Sequence, residues 1–200
     1  MTILQHAPVI LASGSAVRQQ MLKSVGLTFS VEPSGVDEEA LTATLTALSL
    51  PERALALARA KAVAVGQQHA DAYTIGADQI CALGERVLNK PLTYENATAQ
   101  LSLLSGKTHR QHCGLVLLHG DHIIWEHVGI AELTMRTLSP ADIQAYIATD
   151  APLAACGSYK FESLGRHLFA EVKGDHDVIQ GLPLVALLAR MHALGIISLS

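Results

Sequence analysis

A short polar stretch after the first apolar run of the chain contains residues that could bind an anion. The apolar run ends at Ala12, and "SGSAVR" follows, with Ser13 and Ser15 as hydroxyl donors and Arg18 as a cation. A turn that leads into a helix presents free backbone N–H groups and the positive end of the helix dipole. Small residues in such a turn let a phosphate approach, and a guanidinium matches its oxygens. The alternative is an ordinary helix start, with Ser15 as the N-cap residue.

Two acidic segments could supply a general base or ligands for a cation. Asp78 stands between apolar residues in "IGADQICAL", where an unpaired buried carboxylate would be costly. It is either a metal ligand or general base at the end of a strand, or a turn aspartate after Gly76. The second segment, "GVDEEA", contains Glu38. Its acids either bind a divalent cation or favour the start of the next helix.

Two lysines stand in unusual sequence surroundings. Lys61 interrupts the small, apolar run "ARAKAVAVG", so it either adds charge to a site or extends its ammonium group from a packed helix to water. Lys90 precedes Pro91 in "LNKPL", and a residue before proline favours an extended conformation. Its side chain either reaches into a cleft or is solvated on a loop.

The bulk composition limits the classes of function. The chain has 200 residues, 50% hydrophobic and 16% charged, so it can bury a core in one domain or two joined lobes. Its net charge of −4 and its 4% aromatic content disfavour long nucleic acid or an anionic membrane as the partner. A small anionic ligand remains compatible, because a site can be locally positive on an acidic protein.

The cysteines and the N-terminus favour a cytoplasmic protein. The three cysteines are far apart and lack CxxC spacing, which predicts reduced thiols without a disulfide framework. The first ten residues lack the basic and apolar regions of a signal peptide. No uninterrupted apolar run reaches the length of a membrane span.

The hydrophobic periodicity predicts strands that alternate with helices around one hairpin. We expect an α/β fold, at the border of α+β, with a mixed twisted sheet flanked by helices. The predicted elements, in order, are a strand over 8–12, a helix over 16–25, a strand over 28–32, a helical spacing over 41–50, a helix from Ser49 to about Gln68, a strand, acidic bend and strand over 72–83, a helix over 92–106, a hairpin over 114–135 that turns at Gly120-Asp121, and helices over 139–148 and 181–195.

These segments, taken in order, resemble the motifs of the Maf family of nucleoside triphosphate pyrophosphatases over nearly the whole chain. The motifs are "LASGSAVRQQML", "GVDEE", "LARAKAVAV", "IGADQICAL", "LNKPLTYENA", "LSGKTH", "GSYKFESLG" and "GDHDVIQGLPL". Each motif is weak alone, whereas the ordered set is specific. The resemblance implies a single Maf/inosine-triphosphatase-like domain over residues 1–200, with two lobes around a central nucleotide cleft. It also implies a homodimer.

The resemblance implies a hydrolase acting on acid anhydrides in nucleotide metabolism. The implied reaction cuts a nucleoside triphosphate between the α and β phosphates and gives a nucleoside monophosphate and pyrophosphate. Ser13, Ser15 and Arg18 match positions that hold the triphosphate, and Lys61 and Lys90 match positions that add charge at the phosphates. The implied substrate is a standard nucleoside triphosphate or a modified one.

The same resemblance assigns roles to the acids. Asp78 matches the residue that activates water, and Glu38, with Asp78, matches the ligands of a divalent cation. The implied ion is Mg²⁺, with Mn²⁺ as the alternative. Glu162 matches a position that faces the base or the reaction centre, where the branch acting on dTTP and UTP has glutamine.

Two positions depart from the family pattern. Val17 replaces the first arginine of the usual pair, so one phosphate contact is lost or supplied elsewhere. Glu162, together with Gln79, resembles the branch that acts on 7-methyl-GTP. A carboxylate there could pair with a cationic methylated guanine, accept from guanine N–H groups, or be a further metal ligand.

Two other functions stay open on the sequence. The family's link to septum formation and cell division makes a nucleotide-binding regulator without significant turnover the main alternative. A metal-independent phosphate-ester hydrolase is the third hypothesis, and turnover in EDTA would identify it.

Overall fold

The computed structural model describes residues 2–200 and has the strands and helices of an α/β protein. The strands are β1 (Ile3–Gln5), β2 (Val9–Leu11), β3 (Ser30–Val31), β4 (Tyr73–Leu83), β5 (Arg86–Val87), β6 (Thr108–His119), β7 (His122–Met135), β8 (Phe169–Lys173) and β9 (Ile197–Leu199). The α-helices are α1 (Ala16–Ser24), α2 (Glu38–Thr44), α3 (Leu50–Gly66), α4 (Tyr94–Leu104), α5 (Pro140–Asp150), α6 (His176–Ile179) and α7 (Leu184–Ala193). Two 3₁₀ turns cover Cys156–Ser158 and Leu164–Leu168.

A mixed seven-stranded sheet has the strand order β3-β2-β4-β6-β7-β8, with β5 paired to β4. Strand β2 pairs in parallel with both β3 and β4, whereas β7 and β8 are antiparallel. Strands β1 and β9 form a separate antiparallel pair. The predicted α/β class with a mixed sheet is therefore confirmed.

The chain divides into two compact units. Unit 1 contains residues 1–79, 113–129 and 181–200, and unit 2 contains residues 80–112 and 130–180. In unit 1, the core packs α1 and α7 against β2, β4 and β6 through fully buried side chains such as Leu11, Leu22 and Leu187. Within residues 2–200, no helix combines the length and the apolar character needed to cross a bilayer.

Local capping signals explain where several helices begin. The Ser15 hydroxyl accepts from the Arg18 N–H at the start of α1. Ser139 caps α5 in a capping box, with Pro140 at the first helical position. The Glu52 carboxylate accepts from the Ser49 N–H at 2.9 Å, at the start of α3. These starts, and the hairpin turn at Gly120-Asp121, lie where the sequence predicts them.

Two local predictions are wrong. The acidic bend expected around Asp78 does not occur, because Tyr73–Leu83 is one continuous strand. The helical segment expected over 41–50 instead covers Glu38–Thr44, because the Asp37 side chain accepts from the Ala40 N–H and starts the helix earlier.

Candidate active site

The turn between β2 and α1 combines a helix cap with a hydroxyl-rich loop. Ser15 is the N-cap residue of α1, as the simpler interpretation of this segment predicts. The Ser15 N–H in turn donates to the Ser13 hydroxyl at 3.3 Å. Ser13 is buried and Ser15 is half-buried, so the backbone of this turn is fixed before any ligand arrives. The turn therefore has the form of a helix-terminus anion site.

Arg18 lies in the first turn of α1 and is only 8% exposed. Its Nε donates to the carbonyl oxygen of Gly181 at 2.7 Å, and its Nη1 donates to the Ser13 hydroxyl at 3.0 Å. The guanidinium thus connects the polar turn to the start of the C-terminal segment. Two of its donors are used within the protein, and its positive charge remains at the site.

Gly181 is a member of this site that sequence reasoning did not single out. Its φ of +91° is unfavourable for other residues. A Cβ there would lie 3.0 Å from Oε1 of Gln79 and 3.3 Å from Nη2 of Arg18. The glycine therefore lets the Gln79 and Arg18 side chains approach the backbone closely. Its only sequence signal is its place in the motif "GDHDVIQGLPL".

Asp78, Lys61 and Glu38 form a three-residue charge cluster in unit 1. The Lys61 Nζ lies 2.6 Å from Oδ1 of Asp78 and 2.8 Å from Oε1 of Glu38. The side chains of Lys61 and Asp78 are each 8% exposed, whereas that of Glu38 is 53% exposed. The structure therefore brings together three residues that stand in three separate motifs.

Burial raises the pKa of Asp78, and the nearby Lys61 ammonium and Arg18 guanidinium oppose this increase. The charge of Glu38 acts in the same direction as burial. Cys113 is also fully buried near these groups, and burial raises the pKa of its thiol to about 12. The pKa of Asp78 is therefore raised above that of an ordinary aspartate, and the thiol of Cys113 near it stays neutral.

A close approach of α3 to the sheet places Lys61 beside Asp78. A Cβ on Gly76 in β4 would lie 2.4 Å from the carbonyl oxygen of Ala58 and 2.7 Å from Cβ of Ala62. A Cβ on Gly114 in β6 would meet the backbone of α3 at the same distance of 2.4 Å. Glycines on the strands and alanines on the helix thus allow contact at backbone distance. Lys61 precedes Ala62 in α3, and its side chain reaches Asp78, which lies two positions after Gly76 in β4.

The other two predicted site residues, Lys90 and Glu162, belong to unit 2 and are both exposed. Lys90 lines a cavity of about 350 Å³ together with Arg86, Asn96 and Gln100. Their assignment to substrate stays a prediction.

The segment that carries Glu162 is held by α5. The Lys160 N–H donates to the Tyr146 hydroxyl at 2.9 Å, and the Lys160 ammonium donates to the Asp150 carbonyl at 2.6 Å. The Ser163 hydroxyl donates to the Asp150 carboxylate at 2.7 Å. Residues on both sides of Glu162 are therefore fixed to one helix within unit 2.

Comparison with known proteins assigns the family. The model of the Maf-like protein family matches residues 8–194. This chain belongs to the Maf-like protein family. It is 40% identical over 196 residues to a protein of Legionella pneumophila (strain Corby) named nucleoside triphosphate pyrophosphatase, covering 98% of each chain. It is 42% identical over 193 residues to a protein of Mesorhizobium japonicum named 7-methyl-GTP pyrophosphatase, covering 94% of this chain and 97% of that one. A solved HAM1 protein from Coxiella burnetii matches 65% of this chain and 73% of its own, with a TM-score of 0.40 and 16% identity.

The Maf-like protein offers two carboxylates, Glu38 and Asp78, to a cation. Their oxygens converge on one positively charged group, the Lys61 ammonium, and oxygen ligands suit Mg²⁺ or Mn²⁺. Within residues 2–200, no group of three or more His, Cys, Asp or Glu side chains could hold a metal ion. Mg²⁺ is usually bound by one or two carboxylates together with water and substrate phosphates. The donor set therefore fits an ion that is completed by a phosphate ligand.

Proposed function

We propose that this Maf-like protein hydrolyses a nucleoside triphosphate to a nucleoside monophosphate and pyrophosphate. The observation that carries the proposal is the buried Asp78 carboxyl, placed 2.6 Å from the Lys61 ammonium beside the polar turn of Arg18. The names of the curated relatives support the same reaction. Family membership alone would not assign roles to residues, whereas this cluster supplies both a base and positive charge.

Asp78 is the general base of the proposed reaction. Its raised pKa brings it closer to the neutral range in which a carboxylate accepts a proton efficiently. The water oxygen bonds to the α phosphorus, and the water proton passes to Asp78. The bond from the α phosphorus to the oxygen that bridges to the β phosphate breaks, and pyrophosphate leaves with that oxygen.

Positive charge around Asp78 stabilises the phosphates. Arg18 and the N-terminus of α1 provide fixed charge at the turn of Ser13 and Ser15, where the triphosphate binds. Glu38 and Asp78 would hold the divalent ion, which neutralises phosphate charge when bound. Lys61 adds a flexible ammonium from α3.

We also propose that Glu162 sets the preference for the base. The Mesorhizobium japonicum relative is named for 7-methyl-GTP, and Glu162 with Gln79 matches the pattern expected for that branch. Methylation at N7 gives guanine a positive charge, which a carboxylate pairs with better than a neutral amide does.

A Glu162→Gln variant should therefore lose preference for 7-methyl-GTP over UTP by at least about tenfold. Glu171→Gln, exposed in the same unit, is the matched control.

The decisive experiment incubates the protein and Mg²⁺ with dTTP, UTP, GTP and 7-methyl-GTP and identifies the phosphate product. Pyrophosphate plus a monophosphate is the expected result. Orthophosphate would show that a different bond is cut. Tight binding without product across the panel would favour the nucleotide-binding regulator, and full turnover in EDTA would favour the metal-independent hydrolase.

A further inference from the structure

The Lys61 ammonium occupies the position of a cation shared by two carboxylates. It lies 2.6 Å from Asp78 and 2.8 Å from Glu38, and its side chain is 8% exposed. An ammonium group has three donors, so two carboxylates can bind it at once. The same pair of carboxylates is the donor set that would hold a divalent ion.

The charges of this cluster do not balance. Glu38 and Asp78 together carry two negative charges, and Lys61 supplies one positive charge. The next cation, Arg18, directs Nε to the Gly181 carbonyl and Nη1 to the Ser13 hydroxyl. A divalent ion would neutralise both carboxylates and would at the same time repel the ammonium.

The two ion pairs differ in how easily they open. The Asp78 side chain is 8% exposed on a central strand, so its pair with Lys61 is shielded from water. The Glu38 side chain is 53% exposed in the first turn of α2, a helix without buried residues. Exposed ion pairs contribute little to stability, so the contact between Lys61 and Glu38 is the side of the cluster that opens first.

We propose that Lys61 is the resting cation of this site and exchanges with the divalent ion. Before nucleotide binds, the ammonium holds Glu38 and Asp78 together. When the ion arrives with the phosphates, the ammonium leaves the carboxylate pair and turns to the phosphates on its flexible stem. This inference rests on the proposed function and adds that metal and nucleotide bind cooperatively. Bound nucleotide raises the affinity for the ion, because its phosphates give the displaced ammonium a new partner.

The first test measures Mn²⁺ affinity by electron paramagnetic resonance without nucleotide. Lys61→Met should bind Mn²⁺ at least about tenfold more tightly than the wild type, because the competing cation is gone. Lys61→Arg, which keeps a cation, should restore weak binding. Lys23→Met removes the same charge from an exposed position of unit 1 and should change the affinity less than about twofold. Equal or weaker Mn²⁺ binding by Lys61→Met would overturn the proposal.

The second test uses the wild type, so it holds even if Lys61→Met does not fold. A crystal structure with Mn²⁺ and a non-hydrolysable nucleoside triphosphate should place the anomalous peak at Glu38 and Asp78. The Lys61 Nζ should then lie beyond about 3.5 Å, the limit of a hydrogen bond, from at least one of them. Lys61 still bound to both carboxylates, or the ion bound elsewhere, would contradict the exchange.

The two proposals fail in different ways. Pyrophosphate release by the wild type without tighter Mn²⁺ binding by Lys61→Met would exclude the exchange of cations and support the proposed hydrolysis. Tighter Mn²⁺ binding by Lys61→Met without hydrolysis of any nucleotide by the wild type would exclude the proposed hydrolysis and support the exchange of cations.

Discussion

Asp78 remains inside unit 1 because an ammonium lies 2.6 Å from it, and without Lys61 the buried carboxylate would be unpaired. Removing one partner of a buried ion pair costs roughly 3–5 kcal/mol, so each residue depends on the other for its place in the fold. The same pairing leaves the carboxylate where the proposed reaction needs a base. Structural and chemical roles therefore meet in one side chain.

Asp78→Asn should abolish most of the turnover, while nucleotide binding measured without divalent metal persists. The amide has nearly the shape of the carboxylate but cannot accept the water proton, so kcat should fall by about 10²–10⁴-fold. Pyrophosphate release and equilibrium binding of a non-hydrolysable analogue measure the two effects separately. Asp71→Asn, an exposed aspartate before β4, is the control. Turnover near that of the wild type in Asp78→Asn would exclude Asp78 as the base.

Arg18→Lys should destabilise the protein although it keeps the positive charge. Lysine cannot donate to both the Gly181 carbonyl and the Ser13 hydroxyl in the geometry of a guanidinium, so a buried acceptor loses its donor. We expect the free energy of unfolding to fall by about 1–3 kcal/mol in urea titrations. The control, Arg86→Lys, alters an exposed side chain and should change the free energy of unfolding by less than about 0.5 kcal/mol. An unchanged urea midpoint in Arg18→Lys would contradict this role.

At this scale, local patterns predicted the polar turn, but they could not predict what Arg18 binds. The cap at Ser15 depends on a contact three residues away, whereas Arg18 and Gly181 are 163 positions apart. No periodicity or capping rule carries information over such a separation. The roles of Ser13, Lys90 and Glu162 toward substrate come from family resemblance and remain predictions.

At the scale of elements, α3 can approach β4 and β6 only because Gly76 and Gly114 lack side chains. The Cβ positions of both glycines lie 2.4 Å from backbone atoms of the helix. Helix α3 supplies small residues at the contact, among them the fully buried Ala54, Ala58 and Ala62. The spacing of these alanines by four places them on one face of the helix. This close approach sets the distance between Lys61 and Asp78.

Gly76→Ala should therefore disturb both stability and the site. The added methyl group would overlap the backbone of α3, and overpacking of this kind costs about 1–3 kcal/mol. Displacing α3 from β4 would also separate Lys61 from Asp78 and lower kcat. Urea unfolding and pyrophosphate release measure the two effects. For stability, Gly14→Ala is the control, because a Cβ there would lie at an ordinary 3.7 Å from Pro33. A fully stable and active Gly76→Ala variant would show that the contact adjusts freely.

Element prediction succeeded at α5, where local chemistry decides the structure, and failed at Asp78, where a distant partner decides it. Ser139 and Pro140 mark the start of α5 in the sequence as well as in the structure. The bend expected at Asp78 is absent because Lys61, 17 positions earlier, pairs with the carboxylate inside the fold. A charged residue in an apolar run interrupts a strand only when nothing in the fold neutralises it.

At the scale of the whole molecule, stability also depends on a polar cluster inside unit 2 that the proposed reaction does not use. The Tyr159 hydroxyl lies 2.8 Å from Nε2 of His109 and accepts from the Gln111 amide at 2.7 Å. Phe169 packs on the rings of both His109 and Tyr159. Burial raises the pKa of Tyr159, so the hydroxyl keeps its proton and can donate it to a neutral His109.

His109 should make the protein less stable in mild acid. Burial lowers the pKa of His109 from 6.5 to about 4, so the unfolded chain binds a proton more readily than the folded one. The stabilisation is complete above pH 6.5 and is lost as the pH falls toward 4. As the pH falls from 7.5 to 5.0, His109 should lower the free energy of unfolding by about 2 kcal/mol.

His109→Gln tests this, because glutamine can still bond to the Tyr159 hydroxyl but does not titrate. Urea unfolding at the two pH values should show a smaller difference for the variant than for the wild type, by about 2 kcal/mol. His192→Gln, an exposed histidine on α7, should keep the difference of the wild type. Equal pH dependence in wild type and His109→Gln would mean that His109 has the same pKa in the folded and the unfolded chain, so that the imidazole is protonated in the fold at pH 5.0. The Tyr159 hydroxyl would then have to accept from both Gln111 and His109 instead of donating to the histidine.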